Sequence, residues 1–140
     1  APNYERAIEL YPRYAPAHLG LGFAAIKRQD YPRAESRFAR SLALHPGNGP
    51  GLYGLGLSRF RQEKYAEAIA PLEGAVSAIG HDPYLLFALG RCYDEVGRNR
   101  DAVAAYSAAL QAGLEGEPAE TARRRIEALS AGAAAAQMAG

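Results

Sequence analysis

The stretch APAHLGLGFAAIKRQDYPRAESRFARSLALHPGN, residues 15–48, decides the fold, because it comes back. Residues 49–82, GPGLYGLGLSRFRQEKYAEAIAPLEGAVSAIGHD, repeat its pattern, and residues 83–116 repeat it again. Leu21, Leu55 and Leu89 keep a step of 34 residues, as do Gly22, Gly56 and Gly90, and Ala34, Ala68 and Ala102. Tyr4, Phe38, Leu72 and Tyr106 keep the same step. A fixed period of this length is one supersecondary unit copied in tandem, and such a copy builds an extended surface rather than a deep catalytic cleft.

The breaks fall at the same period. Asp30 precedes Pro32 and Asp82 precedes Pro83. The aspartates are placed to cap helices, and the prolines sit in first turns, where the missing N–H costs nothing. HPGNGPG, from His45 to Gly51, is a loop, and GLEGEP, from Gly113 to Pro118, closes the last unit. Strand-like alternation is missing. The spacing predicts eight helices, roughly over 3–10, 15–28, 31–44, 50–62, 65–78, 83–96, 99–112 and 118–130. Pro71 falls inside the fifth and predicts a local bend, because it removes a hydrogen bond to Glu67.

The 34-residue pattern resembles the tetratricopeptide repeat. It is carried by Leu21-Gly22, Tyr31, Ala34, Phe38 and Pro46 in the first full unit. In the second it is carried by Leu52, Leu55-Gly56, Tyr65, Ala68 and Ala75, and in the third by Leu86, Leu89-Gly90, Tyr93, Ala102, Tyr106 and Ala109. Tyr4, Ala7 and Pro12 match a second helix alone. The resemblance implies an all-α fold, a right-handed α-solenoid of about three and a half helix-turn-helix repeats closed by a capping helix. Residues 1–131 then form the array: a half repeat at 3–14, repeats at 15–48, 49–82 and 83–116, and a capping helix at 117–131. An Ala-rich tail follows at 132–140, either as more helix or as disordered chain. Small residues at the Gly22 and Ala34 ladders let helix axes approach, while Phe38 and its equivalents fill the wedge between hairpins. Ala25 and Arg59 replace the first-helix aromatic, and Arg59 implies a polar contact. The chain opens in the second half of a repeat. Tyr4, Ile8 and Tyr11 therefore lack part of their cover, which suggests a piece of a longer array or a pairing surface.

Composition narrows the function. Sixteen basic and 15 acidic residues give a formal charge of +1, which argues against a nucleic-acid footprint. Fourteen of the 16 basic residues are Arg, a bias that GC-rich coding explains. One cysteine, Cys92, supplies no disulfide framework and reads as a small buried hydrophobe rather than a reactive thiol. No apolar run is long enough to span a membrane. The GLGLG glycines lie in a helix with no strand before them, and PGNGPG lacks the Lys-Ser/Thr of a phosphate loop. His18, His45 and His81 lack chelating spacing, Asp94 and Glu95 do not face one another, and no nucleophile stands beside a base. No catalysis, cofactor or metal is expected.

The resemblance places a binding groove on the first helix of each hairpin. Leu19, Tyr53 and Phe87 form one ladder, Phe23, Leu57 and Arg91 the next, and Ile26, Phe60 and Asp94 the third. Lys27, Arg61 and Glu95 stand at the margin, with Pro16, Pro50 and Tyr84 at the mouth. Large apolar side chains there imply an amphipathic helix or extended apolar segment of a partner protein. A clamp for a C-terminal carboxylate is disfavoured, because Leu19, Phe23, Tyr53 and Leu57 hold its places. The expectation is a non-catalytic, bacterial-type scaffold that helps assemble a larger complex. Alternatives are a homo-oligomerisation module or one part of a larger protein with a catalytic domain elsewhere. The compartment is open between cytoplasm and periplasm. The Arg123–Arg125 run reads as the solvated face of the capping helix, with Ala122, Ile126 and Leu129 as its apolar stripe.

Overall fold

The computed structural model describes residues 3–10 and 14–139, in which the secondary structure is helical throughout. Two compact units divide the chain, residues 1–79 and 80–140. The first contains α1 (Tyr4–Leu10), α2 (Ala15–Lys27), α3 (Tyr31–Leu44), α4 (Gly49–Arg61) and α5 (Tyr65–Ile79). The second contains α6 (Pro83–Glu95), α7 (Asn99–Gln111) and α8 (Gly116–Ala139). Tyr11 and Pro12, used in the half-repeat reading, lie outside the described residues.

Helix starts follow from side-chain chemistry. Asp30 accepts the Arg33 amide at 3.3 Å and Asp82 accepts the Leu85 amide at 2.9 Å, as the sequence predicts. Asn48, read above only as loop, caps α4 by accepting the Gly51 amide at 2.8 Å. Helix ends repeat with equal regularity. Gln29, Glu63 and Gly97 all adopt the left-handed conformation, with φ of 59°, 61° and 83°. One residue later, the amides of Asp30, Lys64 and Arg98 reach back to the carbonyls of Ala25, Arg59 and Tyr93, each at 2.9 Å. This is the Schellman closure, and it turns each hairpin with the same geometry.

The hairpins are held by large side chains seated on glycines. Phe38 is fully buried. Its ring lies where a Cβ on Gly22 would stand, 2.7 Å from it, and it equally fills the space beside Gly54. The wedge thus joins α3 to its own hairpin partner α2 and to the next hairpin's α4. Tyr4 fills the corresponding place on Gly20, so α1 seats on α2 as α3 seats on α4. Leu72 sits 2.5 Å from the Cβ position of Gly56, and in the second unit Tyr106 sits 2.8 Å from that of Gly90. Burial of each such side chain contributes roughly 1.5–3 kcal/mol. Ala25, Ala34 and Leu55 complete the Phe38 cluster, and Leu19, Ile26 and Leu42 pack against it.

Two elements refine the expectation. The Ala-rich tail, left open between helix and disordered chain, continues the last helix, which runs to Ala139, since alanine is the strongest helix former and nothing in AGAAAAQMA caps it. Residues 130–139 are exposed along its whole length. α5 continues through the buried Pro71. The carbonyl of Glu67, which Pro71 leaves without an amide partner, accepts the Arg59 guanidinium at 3.0 Å. Arg59 also donates to Glu35 at 3.2 Å, and Gln62 and Lys64 donate to the same carboxylate at 2.8 and 3.1 Å. Burial raises the Glu35 carboxyl, but the three donors outweigh it and leave it below its ordinary value. The polar contact expected of Arg59 is therefore a repair of Pro71 together with an ion pair to α3.

Two stability measurements test this packing. Gly54→Ala should destabilise the protein by about 1–3 kcal/mol in urea, because the trapped Phe38 ring cannot withdraw. Gly132→Ala, with open space around it, should cost nothing and gain up to about 1 kcal/mol. A stabilised Gly54→Ala would refute the ring-on-glycine account. In a double-mutant cycle, Arg59→Met should cost about 1 kcal/mol more with Pro71 present than in a Pro71→Ala background, where an amide again serves Glu67. Additive effects would show that Arg59 does not repair the proline.

Candidate functional site

The first helices of the hairpins carry the residues singled out above. On α2, Leu19, Phe23 and Ile26 follow steps of four and three, which puts them on one helical stripe, and Lys27 stands at its margin. On α4, Tyr53, Leu57, Phe60 and Arg61 repeat that stripe one period later. Both helices lie in the first unit and contact one another. Leu19 and Ile26 are half-buried against the Phe38 cluster. Phe23 is 41% exposed and stands edge-on to Phe38, ring centres 4.9 Å apart at 76°. Tyr53, Leu57 and Phe60 are half-buried, and Lys27 and Arg61 are exposed. Phe60 makes an edge contact with Tyr65 at 6.1 Å, and the Arg61 guanidinium lies 5.9 Å over the Phe60 ring. The buried Phe38 thus holds an exposed aromatic edge-on from beneath.

The second unit holds the remaining four residues, and they are engaged differently. Phe87 is 8% exposed, packed between Tyr84 at 5.9 Å and Tyr106 at 6.0 Å. Tyr84 is half-buried. Arg91 pairs with Glu95 at 3.4 Å. Asp94 accepts both arms of Arg125, at 2.7 and 2.8 Å, and the Tyr106 hydroxyl at 2.9 Å. Arg91, Asp94, Glu95 and Arg125 line a polar hollow of about 370 Å3. The Arg125 bonds, with the Tyr106 hydroxyl, outweigh partial burial and hold the Asp94 carboxyl below its ordinary value. Burial, with Asp94 adding to it, pushes the Tyr106 phenol up. Sequence reasoning read Arg125 as part of a solvated face. It is instead the latch that fastens α8 to α6, while Arg123 and Arg124 are exposed and Ala122 is fully buried. A signal was available. Arg125 stands 34 residues after Arg91, on the Phe23–Leu57 ladder, and Asp94 stands on the Ile26–Phe60 ladder, so opposite charges replace apolar residues in adjoining repeats.

Residues with reactive chemistry have structural surroundings. Cys92 is buried, and desolvation pushes its thiol up to about 12. His18 is buried, whereas His45 and His81 are exposed. Among the described residues no group of three or more His, Cys, Asp and Glu is placed to hold a metal ion. No helix among them is long and apolar enough to cross a membrane.

Repeated α-hairpins closed by a common turn and seated by a large apolar side chain on a glycine define the α-solenoid class of repeat protein. The tetratricopeptide repeat profile matches residues 1–49 and 23–84, and the chain belongs to this family. YrrB, described as a TPR protein with an unusual peptide-binding site, is similar at 25% identity and a TM-score of 0.80, over 91% of this chain and 64% of that one. This chain therefore spans under two thirds of YrrB. MamA shares the fold at 20% identity and a TM-score of 0.80, over 94% of this chain and 75% of MamA. The first TPR of Spaghetti, solved with an HSP90 peptide, shares it at 18% identity and 0.72, over 86% and 93%. No curated protein matches the chain. Tetratricopeptide arrays are in general interaction modules rather than catalysts.

The Asp94–Arg125 latch predicts a pH signature. A carboxylate whose folded pKa lies below its unfolded one stabilises the fold at pH values above the unfolded pKa, and loses that contribution as pH falls through the folded value. The stability gap between wild type and Asp94→Asn should be about 1–2 kcal/mol at neutral pH. It should shrink as pH drops below the usual aspartate value of about 3.9 and close in stronger acid. A gap of constant size down to pH 2 would show that the Asp94 charge does not hold α8.

Proposed function

We propose that the chain is a non-catalytic scaffold that binds a segment of a partner protein on the apolar face of α2 and α4. The observation that carries this is Phe23. A phenylalanine 41% exposed, yet fixed edge-on by a fully buried ring, is surface held ready for a ligand. Leu19, Ile26, Tyr53, Leu57 and Phe60 extend the apolar area on either side, and Lys27 and Arg61 border it. An aromatic centre with a polar rim is the arrangement that carries most of the energy in protein interfaces. The similarity to YrrB, whose description names a peptide-binding site, supports the same class of ligand here. A side chain inserted by an amphipathic helix or extended segment would meet Phe23 on one helix and Tyr53 or Leu57 on the next, which specifies register through two repeats.

The test is selection from a displayed library of random 12-residue peptides on the purified protein. Enriched peptides should carry aromatic or aliphatic residues and should bind Phe23→Glu/Tyr53→Glu about tenfold or more weakly, with far-UV circular dichroism unchanged. Equal binding by that folded variant, or no enrichment, would place the ligand elsewhere.

A further inference from the structure

Leu19 belongs to the apolar stripe of α2 and also to the wall of a hollow beside it. That hollow, of about 220 Å3, is lined by Ala15, Pro16 and Leu19 from α2, Ser41 from the last turn of α3, His45 just beyond it, and Asn48, the cap of α4. All six lie in the first unit, and none of them is Asp, Glu, Lys or Arg. Ser41 is the distinctive member. It is 2% exposed, yet its hydroxyl bonds to no other group among the described residues, and it is open to the hollow rather than sealed in the core. Ser58, also buried, differs, since its hydroxyl donates to the Gly54 carbonyl at 2.7 Å. A hydroxyl withdrawn from water with no partner of its own weakens a fold unless something else meets it. Beside it, Asn48 uses its side-chain oxygen on the Gly51 amide, which leaves its NH2 group to donate. The His45 ring, exposed at the edge, adds a further donor.

Granted the peptide-binding face above, we infer that this hollow takes one side chain of the bound segment, neutral, with an apolar body and a hydrogen-bonding tip: a tyrosine. Ala15, Pro16 and Leu19 flank its ring, and its phenol meets Ser41, with Asn48 and His45 beside it. The volume equals that of about seven waters in the liquid, which is room for a ring. A carboxylate or an ammonium would enter without a charge partner and lose its hydration. Glutamine has a suitable tip but loses more rotamer freedom and fills less of the space. Phenylalanine fills the space and leaves the Ser41 hydroxyl unmet. The hollow lies about 9 Å before Phe23 along α2, which is about three residues of extended chain. The tyrosine therefore stands about three residues to one fixed side of the apolar residue that covers Phe23.

Sequencing the enriched 12-residue pool tests the hollow apart from the face. Tyrosine should outnumber phenylalanine at one position, about three residues from the apolar anchor and always on the same side. An enriched peptide should bind about tenfold more weakly with that tyrosine replaced by phenylalanine, and Ser41→Ala should remove most of the difference. The urea midpoint of Ser41→Ala should hold or rise, whereas that of Ser58→Ala should fall, because only the Ser58 hydroxyl serves the fold. Equal binding of the tyrosine and phenylalanine peptides would overturn the assignment, as would a difference undiminished in Ser41→Ala, a lowered Ser41→Ala midpoint, or a charged residue at the selected position. If such a pool still depended on Phe23 and Tyr53, the face would stand without the hollow. A pool indifferent to Phe23→Glu/Tyr53→Glu would instead remove the face.

Discussion

Everything in the first unit depends on a ring seated where a glycine side chain would be. Phe38 occupies space that Gly22 and Gly54 leave empty, and so fixes the spacing of α2, α3 and α4 together. Because the ring is fully buried, it can neither rotate outward nor tolerate a methyl group on either glycine. The seat is what makes the hairpin a reproducible unit. Tyr4 on Gly20, Leu72 on Gly56 and Tyr106 on Gly90 are the same device with different side chains. The device also reaches the surface, since the ring that locks the helices is the ring that Phe23 stands against. Architecture and candidate binding face thus share one buried side chain.

The periodic part of this was legible in the sequence. Glycine and aromatic ladders at a constant step fix which residues must touch, because a translational repeat turns sequence distance into spatial neighbourhood. Most helix limits fall within one or two residues of those expected, since proline and the capping aspartates mark where backbone amides lack partners. Asn48 escaped notice as a cap because it sits amid glycines and prolines that read as loop. The extent of α8 was left open because an uncapped alanine run ends wherever fraying ends it.

Long-range polar contacts were less legible, for a physical reason. An ion pair needs two side chains and no periodicity, so Glu35 with its three donors leaves no pattern in the chain. What remains readable is the departure from pattern. Arg59 replaces an aromatic and Pro71 enters a helix, and each alone is a local fault. Together they cancel, because the guanidinium serves the carbonyl that the proline strands. Asp94 and Arg125 obey the same logic, as opposite charges that break two apolar ladders in neighbouring repeats and find one another. Paired departures in a repeat protein therefore carry more information than either residue does.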